Sequence, residues 1–180
     1  MRVTPSIFAI AAIALASALV IVVAAYSTAS RHIDSQFKVF YSLDKRQNDR
    51  ELIKIIDGAR KYVYFAIYYF SKENIADALI RAKKRGVTVT GIMDREASVG
   101  TDKQVRESLQ AAGIRVETQK HPEGIMHMKM LVTDRAYASG SYNWTQSATD
   151  ANDEVLEIGT MRSVRDRYLS IIKKVLQDNI

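Results

Sequence analysis

Apolar residues recur along this chain with two different repeats, and each repeat predicts a local structure. Short, densely apolar or aromatic runs predict strands at 37–41, 62–70, 87–94, 114–118, 126–133, about 136–142 and 154–160. Apolar residues three and four positions apart predict helices at 48–60, 73–85, 102–112 and 163–177. Strands and helices alternate in the first half, which favours parallel pairing. The pattern predicts an α/β fold with a mixed, mostly parallel central sheet and helices on both of its faces.

The beginning of the chain differs from the rest. Residues 7–26 are twenty residues without a charge, and a helix of that length spans about 30 Å, enough to cross a bilayer core. This run exceeds the roughly 7–15 apolar residues of a signal-peptide core, which favours an uncleaved anchor. Arg2 and the small residues 27–29 leave a cleaved signal sequence open. We therefore expect an N-terminal hydrophobic helix at 1–30, as membrane anchor or signal sequence, and a globular domain at 31–180 that is membrane-anchored or exported to the periplasmic or extracellular side.

Composition narrows the chemistry of the globular domain. The chain has no cysteine, which removes disulfides, thiolate nucleophiles and cysteine metal sites. One of the 26 Lys and Arg precedes residue 31, so the remainder has 25 against 20 Asp and Glu, a net charge of +5. A moderately basic domain suits nucleic acid or an acidic lipid surface, although many proteins with neutral substrates carry a similar charge. Charge alone therefore leaves the partner open.

The segment 126–134 combines the side chains most suited to catalysis. His127 and Lys129 are two residues apart on a predicted strand, so both point to the same face. An imidazole can attack phosphorus, and a neighbouring ammonium can hold a non-bridging oxygen and offset its negative charge. Asp134 has the opposite parity, which predicts that it braces nearby loops and does not touch substrate.

Three further polar residues follow on the next two strands. Ser141 and Asn143 share a face and are neutral donors suited to phosphate oxygens. Glu154 opens the last predicted strand, where its carboxylate could hold the far nitrogen of His127 and fix its tautomer. We therefore expect these side chains to converge on His127.

These residues, in this order, resemble the HKD motif of the phospholipase D superfamily. The pattern is His127-x-Lys129-x4-Asp134, then Gly140-Ser141-x-Asn143, then Glu154. Residues 37–178 as a whole are similar to the smallest members, the bacterial single-motif endonucleases and a related mitochondrial-surface enzyme, and AKKRGVTV and SYNWT also match. One departure is that five residues, not the usual six, separate Asp134 from Gly140. The shorter spacing predicts a tighter hairpin turn.

The resemblance implies a mechanism and a partner. Members of this superfamily use two histidines, one forming a phosphohistidine and one protonating the leaving oxygen, and require no metal or other cofactor. A single motif per chain therefore implies a homodimer with a shared site. The implied catalytic residues are His127, Lys129, Asp134, Asn143 and Glu154, and the implied substrate-binding residues are Lys129, Ser141 and Asn143.

Three functions remain open for such a site. The first is an endonuclease of low sequence specificity that cleaves DNA or RNA, favoured by the basic domain and the resemblance to small nucleases. The second is a phosphodiesterase acting on a phospholipid such as cardiolipin, which the membrane segment at 1–30 would hold near its substrate. The third is a nucleic-acid-binding module with a decayed site, which the intact set of polar residues disfavours.

Several neighbouring residues have a structural interpretation as well as a functional one. Tyr142 and Trp144 could stack on a nucleobase or pack beneath the site. The three methionines at 126, 128 and 130 are interpreted as core or rim filler. The basic run at 83–85 is interpreted as a solvated helix end, with contact to a phosphate backbone as the alternative.

Overall fold

The computed structural model of the chain describes residues 6–96, 100–120 and 123–179. Its contacts divide it into two units, with the division between Gln36 and Phe37. The first unit contains a single long helix, α1 (Ile7–Gln36), which continues past the predicted boundary at residue 30. Within it, Ala9–Ser30 are 22 residues with a mean hydropathy of 2.6, long and apolar enough to cross a membrane. Because a signal sequence has the same properties, this helix suits either an anchor or a signal.

The second unit contains every strand and helix that the periodicity predicts, with ends that differ by a few residues for most of them. The strands are β1 (Phe37–Tyr41), β2 (Tyr62–Ile67), β3 (Thr88–Met93), β4 (Arg115–Thr118), β5 (Lys129–Thr133), β6 (Tyr137–Gly140) and β7 (Val155–Gly159). The helices are α2 (Ser42–Lys45), α3 (Asn48–Asp57), α4 (Glu73–Lys84), α5 (Gly100–Ala111), α6 (Gln146–Asp150) and α7 (Arg162–Gln177). Helices α2 and α6 were not predicted, because elements of four and five residues are too short for an apolar repeat to register.

All seven strands form one sheet in the order β1-β7-β6-β5-β2-β3-β4. The mixed sheet is confirmed, but the expected majority of parallel pairings is wrong. Only β2–β3 and β3–β4 are parallel among the described pairings, and the other four are antiparallel. The two parallel pairs join strands that crossover helices connect, α4 between β2 and β3 and α5 between β3 and β4. Of the described antiparallel pairs, β5–β6 is joined by a tight turn, whereas β2–β5 and β1–β7 pair strands that are not consecutive in the chain, whose directions the local pattern does not report.

Helices cover both faces of the sheet, as predicted. One face packs against α3, α4 and α5, whose apolar side chains share a core with β2 and β5, including Leu52, Leu79, Leu109, Phe65 and Leu131. The other face packs against α7, where Ile172 and Leu176 meet Ala66, Val132 and Tyr137. The sheet is therefore buried on both sides at its centre, which holds β2 and β5 rigidly.

The strand directions bring several chain segments to one edge of the sheet. The carboxyl end of β2 lies beside the amino end of β5, because Ile67 pairs with Lys129. The carboxyl end of β6 lies beside the amino end of β7, because Gly140 pairs with Leu156. This edge, which we call the site edge, therefore collects the residues that follow β2 and β6 and those that precede β5 and β7.

Candidate active site

His127 and Lys129 meet around one aromatic ring at the site edge. His127 precedes β5, and its exposed imidazole lies 4.8 Å from the ring of Tyr68, centroid to centroid. The Lys129 Nζ lies 4.8 Å from the centre of the same ring and donates a hydrogen bond to the His127 carbonyl oxygen at 3.0 Å. The predicted placement of the two side chains on one side of the sheet is therefore present in the structure.

Lys129 is a buried cation without a carboxylate partner. Its side chain is 7% exposed, and no Asp or Glu among the described residues lies within ion-pair distance of it. Burial lowers the pKa of Lys129, and the negative charge of Glu154 partly opposes that shift. The described residues also contain no group of three or more His, Cys, Asp or Glu positioned to hold a metal ion. An anion bound next to Lys129 would therefore supply the counter-charge that this buried ammonium lacks.

Ser141 and Glu154 form a second part of the edge, where β6 ends and β7 begins. The Ser141 hydroxyl donates to Glu154 Oε2 at 2.5 Å and accepts from the backbone N–H of Val155 at 3.0 Å. Gly140 permits this close approach, because a Cβ at that position would lie 2.1 Å from the Val155 carbonyl oxygen. The glycine of the motif is therefore required by the packing of β6 against β7.

Asn143 belongs to the loop that follows β6 and reaches towards β2. Its Oδ1 accepts a hydrogen bond from the backbone N–H of Tyr69 at 3.4 Å. The same loop is held by the backbone of Trp144, which donates to the Tyr69 carbonyl at 3.0 Å and accepts from Ser71 and Lys72 at 2.9 Å. Because its oxygen faces the protein backbone, the Asn143 side chain presents its amide N–H₂ as the group free to donate.

The expected contact between Glu154 and His127 is not present in the chain. Glu154 is 8% exposed, and its two oxygens accept from Ser141 and, at 3.4 Å, from Asn152. No described residue hydrogen-bonds to the His127 ring, whose neighbour is the face of Tyr68. The predicted Glu154–His127 contact was wrong because it rested only on the two residues sharing an edge of the sheet. Ser141 and Asn152 are nearer to Glu154 and donate hydrogen bonds to its carboxylate. Both ring nitrogens of His127 consequently remain available.

Asp134 lies at the opposite end of β5, in the turn to β6. Its Oδ1 accepts hydrogen bonds from the backbone N–H groups of Arg60 and Lys61 at 2.9 and 3.1 Å. Partial burial opposes ionisation, but these backbone hydrogen bonds prevail and lower the pKa of Asp134. The residue braces two loops, as its parity predicts. Its inclusion among the catalytic residues needs correction, because Lys129 begins the five-residue strand β5 and Asp134 directly follows its other end, about 15 Å from the site edge at roughly 3.3 Å per residue.

The turn that contains Asp134 is tight, as the short motif spacing predicts. The backbone N–H of Thr133 donates to the Ala136 carbonyl at 2.8 Å, which leaves only Asp134 and Arg135 in the loop. The Thr133 hydroxyl accepts from the backbone N–H groups of Arg135 and Ala136 at 3.1 and 2.9 Å. This tight turn lies at the end of β5 that is remote from Ser141 and Asn143.

Sequence reasoning missed two residues that shape the site edge. Tyr68 was assigned to the interior of a strand at 62–70, but β2 ends at Ile67 and frees the Tyr68 ring to contact His127 and Lys129. Asp102, the first residue of the helix predicted at 102–112, is 7% exposed and accepts from the Phe70 N–H at 2.8 Å. The available signal was the acidic residue in the first turn of a helix, which often serves a nearby backbone N–H.

The two aromatic residues of the SYNWT stretch pack inside the protein. Trp144 is 1% exposed and lies against the rings of Phe65 and Phe70. Tyr142 is also 1% exposed and shares a hydrogen bond with the Thr149 hydroxyl at 2.7 Å. The interpretation in which they stack on a nucleobase is therefore wrong, and they support the loop that carries Asn143.

The sequence over residues 52–176 matches the family described as cardiolipin synthase, PLD-like domain. The chain belongs to the phospholipase D superfamily. It is 36% identical over 115 residues to a phospholipase D of Rickettsia felis, an alignment that covers 63% of this chain and 56% of that protein. It is also 34% identical over 104 residues to the mitochondrial cardiolipin hydrolase of Danio rerio, covering 57% of this chain and 45% of that protein. The chain thus spans about half the length of these relatives.

Two solved structures superpose on this chain over almost their full length. The phospholipase D family member Nuc from Salmonella typhimurium superposes with a TM-score of 0.73 at 25% identity, covering 78% of this chain and 93% of that one. NucT from Helicobacter pylori superposes with a TM-score of 0.72 at 26% identity, covering 79% and 96%. These likenesses confirm the fold and the family that the HKD motif indicates.

Proposed function

We propose that this phospholipase D superfamily member is a phosphodiesterase, and specifically an endonuclease of low sequence specificity that cleaves DNA or RNA without a metal cofactor. The observation that carries the proposal is the pairing, around the Tyr68 ring, of an exposed imidazole with a buried ammonium that has no carboxylate partner among the described residues. An anionic group bound next to Lys129 would neutralise the ammonium, and the His127 ring lies beside the position that this group would occupy. A phosphodiester supplies both the charge and the electrophilic atom.

The proposed reaction has two steps that use the His127 ring. In the first, a ring nitrogen attacks phosphorus, a P–N bond forms, and the P–O bond to the leaving group breaks as an acid protonates the leaving oxygen. In the second, water gives a proton to the conjugate base of that acid, its oxygen attacks phosphorus, and the P–N bond breaks. The products are an alcohol and a phosphomonoester, and His127 is regenerated. Lys129 and the amide of Asn143 hold the non-bridging oxygens throughout.

The acid in this scheme is His127 of the partner subunit in a homodimer. Within the described residues, His127 is the one histidine at the site edge, and Glu154 is engaged by Ser141. A two-fold axis at this edge would bring two copies of the imidazole to one phosphorus atom, one as nucleophile and one as acid. The exposure of the His127 ring in a single chain is compatible with such an arrangement.

Nucleic acid is favoured over phospholipid by the size and charge of the globular unit. The chain covers 93% and 96% of Nuc and NucT, whose names indicate nucleases, but about half of the proteins named phospholipase D and cardiolipin hydrolase. The net charge of +5 beyond residue 30 suits a polyanion. The apolar helix α1 would then tether the nuclease to a membrane, or direct its export, with the globular unit on the periplasmic or extracellular side.

A substrate panel tests the choice of phosphodiester. The full-length protein in detergent is incubated, with a chelator present, with plasmid DNA, single-stranded DNA, RNA and vesicles that contain cardiolipin. We expect cleavage of nucleic acid that is insensitive to the chelator and falls steeply with added salt. Turnover of the lipid alone would replace the nuclease with the phospholipid phosphodiesterase. Binding of nucleic acid without turnover, unchanged in His127→Ala, would favour the non-catalytic module.

Subunit mixing tests the shared site. His127→Ala protein is exchanged with wild-type protein in equal amounts, and the residual activity is measured. A site that requires both imidazoles leaves about a quarter of the activity, because only wild-type pairs are active, whereas independent sites leave about half. A strictly monomeric protein with full activity would rule out the shared site.

A further inference from the structure

A small cleft opens beside His127 on the side away from Ser141 and Glu154. It has a volume of about 280 Å³, and its lining includes Gln119, Met126, His127, Met128, Val175 and Asn179. This volume is slightly below the roughly 300–1,000 Å³ of sites for drug-sized ligands. The cleft is therefore large enough for one planar ring system and too small for the acyl chains of a phospholipid.

The walls of the cleft are fixed by hydrogen bonds at the end of α7. Asn179 is 2% exposed, and its side chain accepts from the backbone N–H of Lys120 at 2.5 Å and donates to the Val175 carbonyl at 2.7 Å. Gln119 continues the sheet beyond β4, because its backbone N–H donates to the Met93 carbonyl at 2.9 Å. These contacts join the last turn of α7 to the chain segment after β4, so the cleft is preformed.

Gln119 is the polar group of the cleft that lacks a partner. Its side chain is 5% exposed, and no described residue forms a hydrogen bond with its Oε1. A buried amide oxygen without a donor is unfavourable, and such atoms are rare in folded proteins. Because the terminal torsion of glutamine is broad and roughly two-fold, the amide can turn its oxygen towards a group in the cleft. The missing partner is therefore a hydrogen-bond donor.

The charge of the cleft disfavours an anionic occupant. Glu123 and Asp178 also line it, and both are exposed. Two carboxylates disfavour a phosphate and favour a neutral group that carries N–H donors. The flanking Met126 and Met128 offer adaptable apolar surface for the faces of a ring. A flat, neutral, amine-bearing ring fits each of these properties, whereas the phosphate itself belongs next to Lys129.

We propose that this cleft binds the nucleobase adjacent to the scissile phosphate and that Gln119 favours bases with an exocyclic amine over thymine and uracil, which lack one. The inference rests on the proposed nuclease function. The base leaves the stack and enters between the methionines, and its amino group donates to Gln119 Oε1. The contact sets a local base preference on an enzyme whose remaining contacts are to the backbone.

The test removes the exocyclic amino group from the substrate base and leaves the protein unchanged. The full-length protein in detergent cleaves single-stranded oligonucleotides of adenine and matched oligonucleotides of purine, which lacks the 6-amino group. We expect kcat/KM to be about tenfold higher for the adenine substrate. Equal rates for both substrates would overturn the base cleft while leaving the nuclease in place. Cleavage of cardiolipin vesicles with neither oligonucleotide cut would overturn the nuclease itself.

A variant then assigns the preference to Gln119. Gln119→Met keeps the size of the side chain and removes the acceptor, so we expect it to cut the adenine and purine substrates at equal rates. Its turnover of bis(p-nitrophenyl) phosphate, which carries no base, should equal that of the wild type. Gln104→Met, at an exposed position on α5, is the matched control and should retain the tenfold preference. Full discrimination by Gln119→Met would overturn the assignment.

Discussion

The two ends of β5 hold charged residues of one sequence motif in opposite circumstances. At the site edge, Lys129 is buried, has no carboxylate within ion-pair distance among the described residues, and has a lowered pKa because burial disfavours its charge. At the other end, the Asp134 carboxylate accepts two backbone hydrogen bonds, which overcome the effect of burial and lower its pKa. The protein therefore stabilises the charged form of Asp134 and stabilises that of Lys129 only weakly.

This difference separates a structural charge from a functional one. The Asp134 carboxylate already accepts hydrogen bonds from the backbone N–H groups of Arg60 and Lys61, so it is poorly placed to bind a ligand. Lys129 has one hydrogen bond, to the His127 carbonyl, and an aromatic face, and both are weak compensation for a buried ammonium. An anion beside Lys129 would supply the missing charge. Within one motif, the well-compensated charge of Asp134 thus indicates a structural role, and the poorly compensated charge of Lys129 indicates a role in binding an anion.

The largest test of this comparison is the removal of the Lys129 charge. Lys129→Met keeps the length of the side chain and should lower kcat/KM for nucleic acid by about 10²–10³-fold, because the phosphate loses its main electrostatic partner in the transition state. The melting temperature should stay the same or rise, since an apolar group replaces a buried, unpaired charge. The measurements are steady-state cleavage of single-stranded DNA and thermal unfolding by circular dichroism.

Lys173 offers a matched control for that variant. It also lies over a tyrosine ring, with its Nζ 5.4 Å from the centre of Tyr64, but on the helix α7 and away from the site edge. Lys173→Met should leave kcat/KM within about twofold of the wild type, since exposed positions remote from a site have small effects. Similar losses in both variants would mean that the general positive charge, and not the Lys129 position, promotes cleavage.

The next test concerns the other end of β5. Asp134→Ala should lower the free energy of unfolding by about 1–2 kcal/mol, because the N–H groups of Arg60 and Lys61 lose their acceptor. The activity per folded molecule should not change, since Asp134 is a strand length from His127. Urea unfolding and active-site-normalised kinetics measure the two effects. A large loss of kcat with an unchanged free energy of unfolding would contradict this structural role and show that Asp134 contributes to catalysis.

The pH dependence of stability gives a sharper version of this test. The pKa of Asp134 is lowered in the folded state, so its contribution is complete above the unfolded value and is lost as pH falls through the lower folded value. Asp134→Asn should therefore lose less stability than the wild type between about pH 5 and pH 2. Asp77→Asn, at an exposed position on α4, is the control for the loss of one carboxylate, and the two variants are compared over the same pH range.

Much of the fold could be predicted because apolar spacing reports burial directly. Phe37–Tyr41 and Arg162–Gln177 have the elements that their spacing predicts. The sheet directions could not be obtained this way, since spacing describes one strand and pairing depends on the connections between strands. The turn at Asp134 and Arg135 explains the antiparallel β5–β6 pair, whereas β2–β5 and β1–β7 join strands that are far apart in the sequence.

The candidate site could be predicted as a set of residues but not as a set of contacts. Lys129 and His127 lie together because a strand alternates its faces. Glu154 does not hold His127, because Ser141 is a nearer donor, and a sequence does not rank donors by distance. Tyr68 was missed because the end of β2 at Ile67 depends on packing and has no marker in a continuous apolar run.

A smaller effect is expected from the aromatic ring that both site residues share. Tyr68→Leu should lower kcat/KM by about 3–10-fold, because it removes the cation–π contact of Lys129 and the surface that orients the His127 ring. Tyr68→Phe keeps the ring and should stay within about twofold of the wild type. Equal losses in the two variants would place the effect on the Tyr68 hydroxyl and would weaken the ring as an explanation.

The smallest effect lies in the alkaline limb of the pH profile. Burial lowers the pKa of Lys129 below the ordinary value of 10.5, with Glu154 in partial opposition. As pH rises through this lowered value the free enzyme loses its ammonium, so kcat/KM should start to fall at a lower pH than an ordinary lysine would allow. Lys129→Arg keeps its charge over the whole range and should flatten this limb even if its rate is lower. An alkaline limb that is identical in the arginine variant would assign the loss of activity to another group and remove the link between the buried ammonium and phosphate binding.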